Sequence, residues 1–296
     1  MELQELLIKK RVVLTDGAMG TLLSERGLLP PGESPEILNL SRPEAVEKVH
    51  RDYLEAGSEI ILTNTFGANP FKLSRSGLAE KIEEIIVQAC AIAIRAKAEK
   101  DALIAADIGP SGELLLPLGN ISPRKLADGY GKVAAAFSGS GVDFFLVETL
   151  SSVEEGRIIA ETIAEKSSLP IIVSFTFSPG RQGPKTLLGE TPEKAAETFG
   201  KTAFGLGTNC GTGTREAEKV ITALRKYTDL PLWAKPNAGN PGLIGGKTVF
   251  PEGPEEMANQ ISGLLKAGAR FIGGCCGTTP EHIAAFRKCL SDLQLQ

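Results

Sequence analysis

The sequence predicts an α/β protein built as one (β/α)8 TIM barrel, and three observations carry that expectation. Eight short apolar runs rich in β-branched residues recur at roughly even spacing. Each is followed by a polar or glycine-rich turn and then by a helical pattern. The length of 296 residues suits a single barrel, which typically takes about 250. Continuous apolar runs arise where a strand is covered on both faces, and strand alternating with helix eight times over closes a barrel rather than an open sheet.

In chain order the runs are VVLT (12–15), IILT (60–63), LIAAD (103–107), FFLVE (144–148), IIVSF (171–175), FGLGT (204–208), LWAK (232–235) and FIGG (271–274). The stretches between them announce their helix starts. Thr191-Pro192-Glu193, Pro254-Glu255-Glu256 and Thr279-Pro280-Glu281 place proline in a first turn, where its missing N–H costs nothing. Both threonines offer a capping hydroxyl, and the acids complement the helix dipole. Ser41-Arg42-Pro43-Glu44 and Ser122-Pro123 are variants of the same device. No linker or low-complexity tract interrupts the alternation, so residues 1–296 are read as one domain.

Apolar residues make up 42% of the chain, charged residues 23%, and the net charge is -4, which recruits neither nucleic acid nor an anionic membrane by bulk electrostatics. The opening MELQELLIKKRVVL lacks the apolar core of an export signal, and no run approaches the roughly 18 apolar residues of a membrane span; the expected location is the cytoplasm. Five cysteines in such a chain argue against a disulfide framework and for metal binding or catalysis. Cys90, inside the apolar run IIVQACAIAI, and Cys289, on the last helix, read as structural.

Barrel enzymes build their sites from residues at the C-terminal ends of the strands. Those ends are followed here by DGAMGT, NTFGAN, IGPSG, ETLS, TFSPG, NCGTG, PNAGN and CCGTT. Cys210 follows strand six, and Cys275 and Cys276 follow strand eight, so all three fall on one rim. Adjacent strand residues point to opposite faces, so Cys275 and Cys276 converge only if the chain bends, for which Gly273, Gly274 and Gly277 supply freedom. A vicinal disulfide and uncoordinated core cysteines are the alternatives; the former is disfavoured because neighbouring Cα atoms lie about 3.8 Å apart, below the usual span of about 4.4 Å. Three soft thiolates favour zinc with a fourth, exchangeable position. His282 lies near enough to be weighed as a ligand against a helix-packing role, and His50 reads as surface or packing.

Three thiolates on a dication leave a net charge of about -1, poor for polarising water or a carbonyl but suited to holding a substrate thiol deprotonated and electron-rich. An amino-acid thiol needs further partners. Asp16 and Glu148 are rim acids either of which suits its ammonium, and the turn Gly17-Ala18-Met19-Gly20-Thr21 offers backbone N–H groups to its carboxylate. A loop or helix cap is the plainer role for either acid alone.

These residues resemble the zinc-dependent homocysteine S-methyltransferase family, and within it most closely the N-terminal homocysteine-binding module of cobalamin-dependent methionine synthase. The matching segments are TDGAMGT (15–21), PEILNLSRPEAVEKVHRDYLEAGSEIILTNTFGAN (35–69), DIGPSGELL (107–115), VETL (147–150), TNC (208–210), KPNAGNPGLIGGKTVFPEGPEEMA (235–258) and GGCCGTTPEHI (273–283). The resemblance implies a methyltransferase barrel in which Cys210, Cys275 and Cys276 bind zinc and the homocysteine sulfur completes the coordination. It implies that Asp16 and Glu148 contact the amino-acid end, with backbone from the DGAMGT turn, and it matches Asn64, Thr65, Asn209 and Asn237 to rim positions. Where family members often carry a Gly-Pro pair after the NC turn, this chain reads NCGTGTRE. Full methionine synthase continues into folate, corrinoid and reactivation modules, so the implied donor is methylcobalamin or another corrinoid on a partner protein or module. S-methylmethionine, S-adenosylmethionine or betaine-type donors, another acceptor thiol, a demethylation pathway and a zinc-binding scaffold are the competing readings.

Overall fold

The structure is a computed structural model that describes residues 2–294 apart from 31, 182, 212 and 246. All eight expected strands form: β1 (Val13–Leu14), β2 (Ile60–Leu62), β3 (Leu103–Ile108), β4 (Phe144–Leu150), β5 (Ile171–Phe175), β6 (Gly205–Cys210), β7 (Leu232–Pro236) and, beyond an antiparallel hairpin of β8 (Gly242–Ile244) and β9 (Lys247–Val249), β10 (Ala269–Ile272). They pair in parallel in the order β1-β10-β7-β6-β5-β4-β3-β2, and a parallel bridge between Thr15 and Ile60 completes the ring. This closure is thin, since β1 has only two residues. The Asp16 carboxylate reinforces it by accepting the Leu62 N–H at 2.7 Å.

One helix, α1 (Leu3–Lys9), precedes the barrel. Next come α2 (Gly20–Glu25), α3 (Leu38–Ser41) and α4 (Pro43–Ala56) after β1, and α5 (Pro70–Leu73) and α6 (Ile82–Lys97) after β2. Then α7 (Pro123–Ala136), α8 (Val153–Ala164), α9 (Pro192–Phe199) and α10 (Thr214–Arg225) follow β3 to β6 in turn, α11 (Pro254–Ala267) follows the hairpin, and α12 (Pro280–Asp292) follows β10. Thr191 and Ser122 cap α9 and α7 as the sequence predicts, each accepting a backbone N–H at 3.2 Å. Ser41 does not cap α4. It ends α3, and its hydroxyl donates back to the Ile37 carbonyl at 3.1 Å, so α4 starts after Arg42 without a side-chain cap. Among the described residues no helix is long and apolar enough to cross a membrane.

The core has two layers. One lies between strands and helices; the other fills the barrel with inward side chains such as Leu103, Ala105, Phe144, Leu146, Trp233 and Phe271. Leu3 and Leu6 of α1 join this inner layer, and Arg270 at the start of β10 donates to the carbonyls of Leu7 and Lys10, so α1 plugs the N-terminal end of the barrel. Strand side chains alternate between faces. Continuing the inward series past Ala105, Leu146 and Trp233 therefore reaches Asp107, Glu148 and Lys235, a charged layer on the apolar one at the C-terminal mouth.

Candidate active site

The mouth of the barrel opens into a cavity of about 1280 Å³ whose wall includes Asp16, Asp107, Glu148, Lys235, Cys210, Cys275 and Cys276. Small-molecule sites usually span about 300–1,000 Å³, so there is room for two reactants side by side.

The thiols arrive from two sides. β6 leaves the sheet at Cys210 with φ of 58°, a left-handed conformation sparsely allowed for a residue with a side chain. Across from it the Cys275 N–H donates to the Pro236 carbonyl at 2.8 Å, and the Cys276 carbonyl accepts the Ala238 N–H at 3.0 Å, so the chain after β7 pins the Cys-Cys turn. The flanking glycines serve that turn differently from expectation. Only Gly277 of the three has positive φ, at 79°; Gly273 and Gly274 are needed for space, because a Cβ on them would lie 2.0 Å from Thr15 Oγ1 and 2.3 Å from Thr278 Oγ1.

The resulting Sγ–Sγ separations are 3.9 Å for Cys210–Cys276 and 4.0 Å for Cys275–Cys276, with all three atoms within 4.8 Å of one another. A tetrahedral zinc with bonds of about 2.3 Å requires S–S edges of about 3.8 Å, so the triangle fits that ion with little adjustment. The proton distribution also calls for a cation. Hydrogen bonds from the Cys275 and Cys276 thiols, working against burial, hold Cys210 down at about 3. The contact with Cys210 pushes Cys275 up to about 12, and the contacts with Cys210 and Cys275 drive Cys276 upward as well. One thiolate is thus stabilised at the expense of the other two, and added positive charge would favour ionisation of all three.

Beside the thiols lie the charged residues. Lys235 Nζ donates to Asp16 Oδ1 at 2.7 Å, with both side chains almost fully buried. Burial works against the lysine's charge, but Asp16 and Glu148 outweigh it and hold its pKa above the ordinary lysine value. Burial raises Asp16, opposed by Lys235 and by the Leu62 N–H. Asp107 and Glu148 gain less: Lys235 lowers both through its charge, but Asp107 Oδ1 and Glu148 Oε2 are buried without a hydrogen-bond partner among the described residues. Burial lifts Glu148 to about 8, and burial followed by the Glu148 charge lifts Asp107 well above the carboxylate range.

Of the residues singled out in the sequence, Asp16, Glu148, Gly17, Ala18, Met19, Asn64 and the three cysteines line this cavity. The Ala18 N–H is already engaged by Thr278 Oγ1 at 3.1 Å, while the N–H groups of Gly17 and Met19 have no acceptor among the described residues. Asn64 donates to the Pro35 carbonyl and to Asn39 Oδ1, and Thr65 donates to the Asp107 carbonyl at 2.7 Å; both brace loops. Asn209 clamps Thr149, accepting its N–H at 2.9 Å and donating to its hydroxyl at 2.7 Å. Thr149, adjacent to Glu148, has φ of 62°, so Asn209 ties together two strained positions on the rim, its own neighbour Cys210 and Thr149. Asn237 donates to the Gly211 carbonyl at 2.9 Å and leaves its buried Oδ1 unpartnered among the described residues.

Neither histidine turns to the thiols. His282 completes the cap of α12 with Thr279, and its Nε2 lies 3.1 Å from the Glu252 carbonyl; His50 is fully buried on α4, where burial lowers its pKa to about 4. Asp107 and Lys235 are the residues that reading the loops missed. Each ends an apolar run, and a charged residue continuing the inward period of a buried strand was the available signal.

A model of the family described as homocysteine S-methyltransferase matches residues 13–290. The chain belongs to that family. Its relatives include the methionine synthases of Mycobacterium leprae, 34% identical across 95% of this chain, and of Mycobacterium tuberculosis, 32% identical across 94%. The chain spans about a quarter of the length of these relatives, 25% and 24% respectively. Among solved structures, the metallated form of the Escherichia coli homocysteine methyltransferase MmuM superposes with a TM-score of 0.81 at 25% identity, covering 97% of this chain and 99% of that one. Its oxidized form gives the same TM-score at 26% identity, covering 97% and 98%. The family is one of methyltransferases, and in this chain the barrel carries the thiol triangle and the charged layer described above.

Proposed function

We propose that this barrel binds homocysteine, holds its thiol on a zinc ion carried by Cys210, Cys275 and Cys276, and presents the sulfur to a methyl donor to give methionine. The observation that carries the reading is the triangle of three Sγ atoms, 3.9 and 4.0 Å along its two measured edges, at the mouth of a family barrel. Zinc, when bound, supplies a substrate thiol that is deprotonated at neutral pH and still nucleophilic.

The chain's own residues do the positioning. The free N–H groups of Gly17 and Met19 receive the substrate carboxylate, and the acids of the charged layer, Glu148 and the Asp16–Lys235 pair among them, face its ammonium. The homocysteine sulfur then attacks the methyl carbon in line, forming the S–C bond as the donor departs with its electron pair. The large cavity leaves the donor's approach open. The similarity to methionine synthases four times as long favours a methylated corrinoid, such as methylcobalamin, on a separate protein or module. A second reading rests on the E. coli homocysteine methyltransferase, a chain matched over 99% of its length: a chain of about this size carries that name, which favours a small S-methylmethionine- or betaine-type donor. Ligation through three reduced thiols favours a reducing compartment such as the cytosol in either case.

Metal-loaded protein incubated with homocysteine and, in separate reactions, methylcobalamin, S-methylmethionine and betaine, with methionine quantified by mass spectrometry, tests the reading. Methionine from one donor is expected. Absence of methionine from every donor, with the metal retained, overturns it in favour of another acceptor thiol or a scaffold role.

A further inference from the structure

Cys210 ends β6 while Cys275 and Cys276 follow β10, and β7 stands between those strands in the sheet, so the spacing of the thiols is set through the chain that follows β7. Glu252 lies where that chain returns from the hairpin β8–β9, and it touches both sides. Its N–H donates to the Ala238 carbonyl at 3.0 Å, and the Ala238 N–H donates in turn to the Cys276 carbonyl at 3.0 Å. Its own carbonyl lies 3.1 Å from Nε2 of His282, on the first turn of α12. The side chain reaches the other way. A Cβ on Gly213 would lie 2.5 Å from Glu252 Oε1, and a Cβ on Gly239 would lie 2.9 Å from its Cγ, so the acid's arm runs against these two glycines, with Oε2 buried.

We infer that Glu252 is a positioning residue that sets the spacing of Cys210 from Cys276, seating its side chain on the turn after Cys210 while its main chain fixes the turn of Cys276. This rests on the proposed metal on the three thiols and adds a residue outside the ligand set that keeps them in reach of one ion. Gly213 is the N-cap residue of α10 and has no side chain to cap it. Its φ of -78° is ordinary backbone, so glycine there gives room to Glu252 rather than conformational freedom. The acid supplies from across the joint what that helix end lacks, a negative group at its positive pole. Burial and the Glu256 charge raise the Glu252 pKa, and the Thr214 N–H opposes them. Gly213-Thr214 is also the pair at which this chain departs from Gly-Pro, and a proline at 214 would have no N–H to offer the acid.

The test measures zinc affinity of the reduced protein by competition with a chromophoric chelator, and the visible spectrum of the cobalt(II)-substituted protein, whose bands report the geometry of the ligand set. Glu252→Ala should weaken zinc by about 10- to 100-fold, the range for partners that orient metal ligands, and shift the cobalt bands. Glu252→Gln, which keeps an acceptor oxygen at the same reach, should restore affinity to within about 3-fold of wild type. Should Glu252→Ala not fold, Gly213→Ala, which leaves the acid in place but crowds its carboxylate, should weaken zinc and shift the bands in the same direction. Unchanged zinc affinity and an unchanged cobalt spectrum in the folded variant, with or without a lower melting temperature, overturn the inference and leave the triangle standing. A wild type that binds no zinc under reducing conditions overturns the metal reading and the inference with it.

Discussion

Replacing Lys235 by Met keeps the volume and removes the charge that faces Asp16. In the protein the two groups are 2.7 Å apart with side chains 3% and 4% exposed. At an effective dielectric of about 20 the gross attraction at that distance is about 6 kcal/mol, and much of it repays the burial of the two charges. Deleting one partner of such a pair costs about 3–5 kcal/mol, because the other is left buried and unpaired. For a domain of this size that is a fall of about 6–20 °C in Tm. The sign of the pH dependence is fixed by Asp16. With Lys235 gone, burial raises Asp16 further, opposed mainly by the Leu62 N–H, so its folded pKa lies above the unfolded value of about 3.9 and the native state holds a proton the unfolded state releases. Stability is then lost as pH rises through the folded pKa, and the deficit against wild type is smaller at pH 5 than at pH 8. Thermal and urea unfolding at both pH values, with metal content held equal, measure it, and Asp16→Asn in the Lys235→Met background should recover at least half the loss. A deficit under about 1 kcal/mol, or one that is flat with pH, refutes the buried pair as a determinant of the closure.

Cys210→Ser and Cys276→Ser should each reduce bound zinc from about one per chain to a trace after dialysis, with far-ultraviolet dichroism unchanged; full retention by elemental analysis refutes the triangle as the metal site. Gly274→Ala should destabilise by about 1–3 kcal/mol in urea, since its Cβ meets Thr278 Oγ1 at 2.3 Å, whereas Gly242→Ala, with nothing within 4 Å, should stay within about 0.5 kcal/mol. In metal-free, reduced protein Cys210, held at about 3, should be alkylated first and at a rate flat from pH 5 to 8, while Cys275, at about 12, reacts slowly throughout; peptide mapping of the modified sites decides it.

The barrel was legible because a parallel strand covered on both faces is apolar along most of its length, and all eight runs show an apolar stretch of that kind. The thiols were legible because topology puts the ends of all barrel strands on one rim. What escaped belongs to contacts between distant segments. Nothing in LIAAD distinguishes Asp107 as an inward group from a helix or loop cap until the phase of Leu103 and Ala105 is known, and Lys235 in LWAK hides in the same way behind Trp233. Gly273 and Gly274 look like hinges in the sequence; they are clearances for Thr15 and Thr278, visible only when β1 and the last turn are brought together. The hairpin β8–β9 and the plug α1 also went unread, the first because GLIGGKTV is short and glycine-rich, the second because seven residues carry little periodicity.

The site is unbalanced in charge in two places, and the two imbalances describe one ligand. In the thiol triangle the contacts with Cys210 push Cys275 and Cys276 upward, which a dication would relieve, and burial pushes Asp107 and Glu148 upward against the pull of Lys235, which a further cation would relieve. Metal alone satisfies the first and leaves the second. A hydrolytic substrate would satisfy neither well, because three thiolates on a dication leave a net negative centre that lowers the pKa of water little, and both histidines that would favour such chemistry are occupied or buried elsewhere. An α-amino thiol brings a sulfur for the metal and an ammonium for the acids on a single short carbon chain.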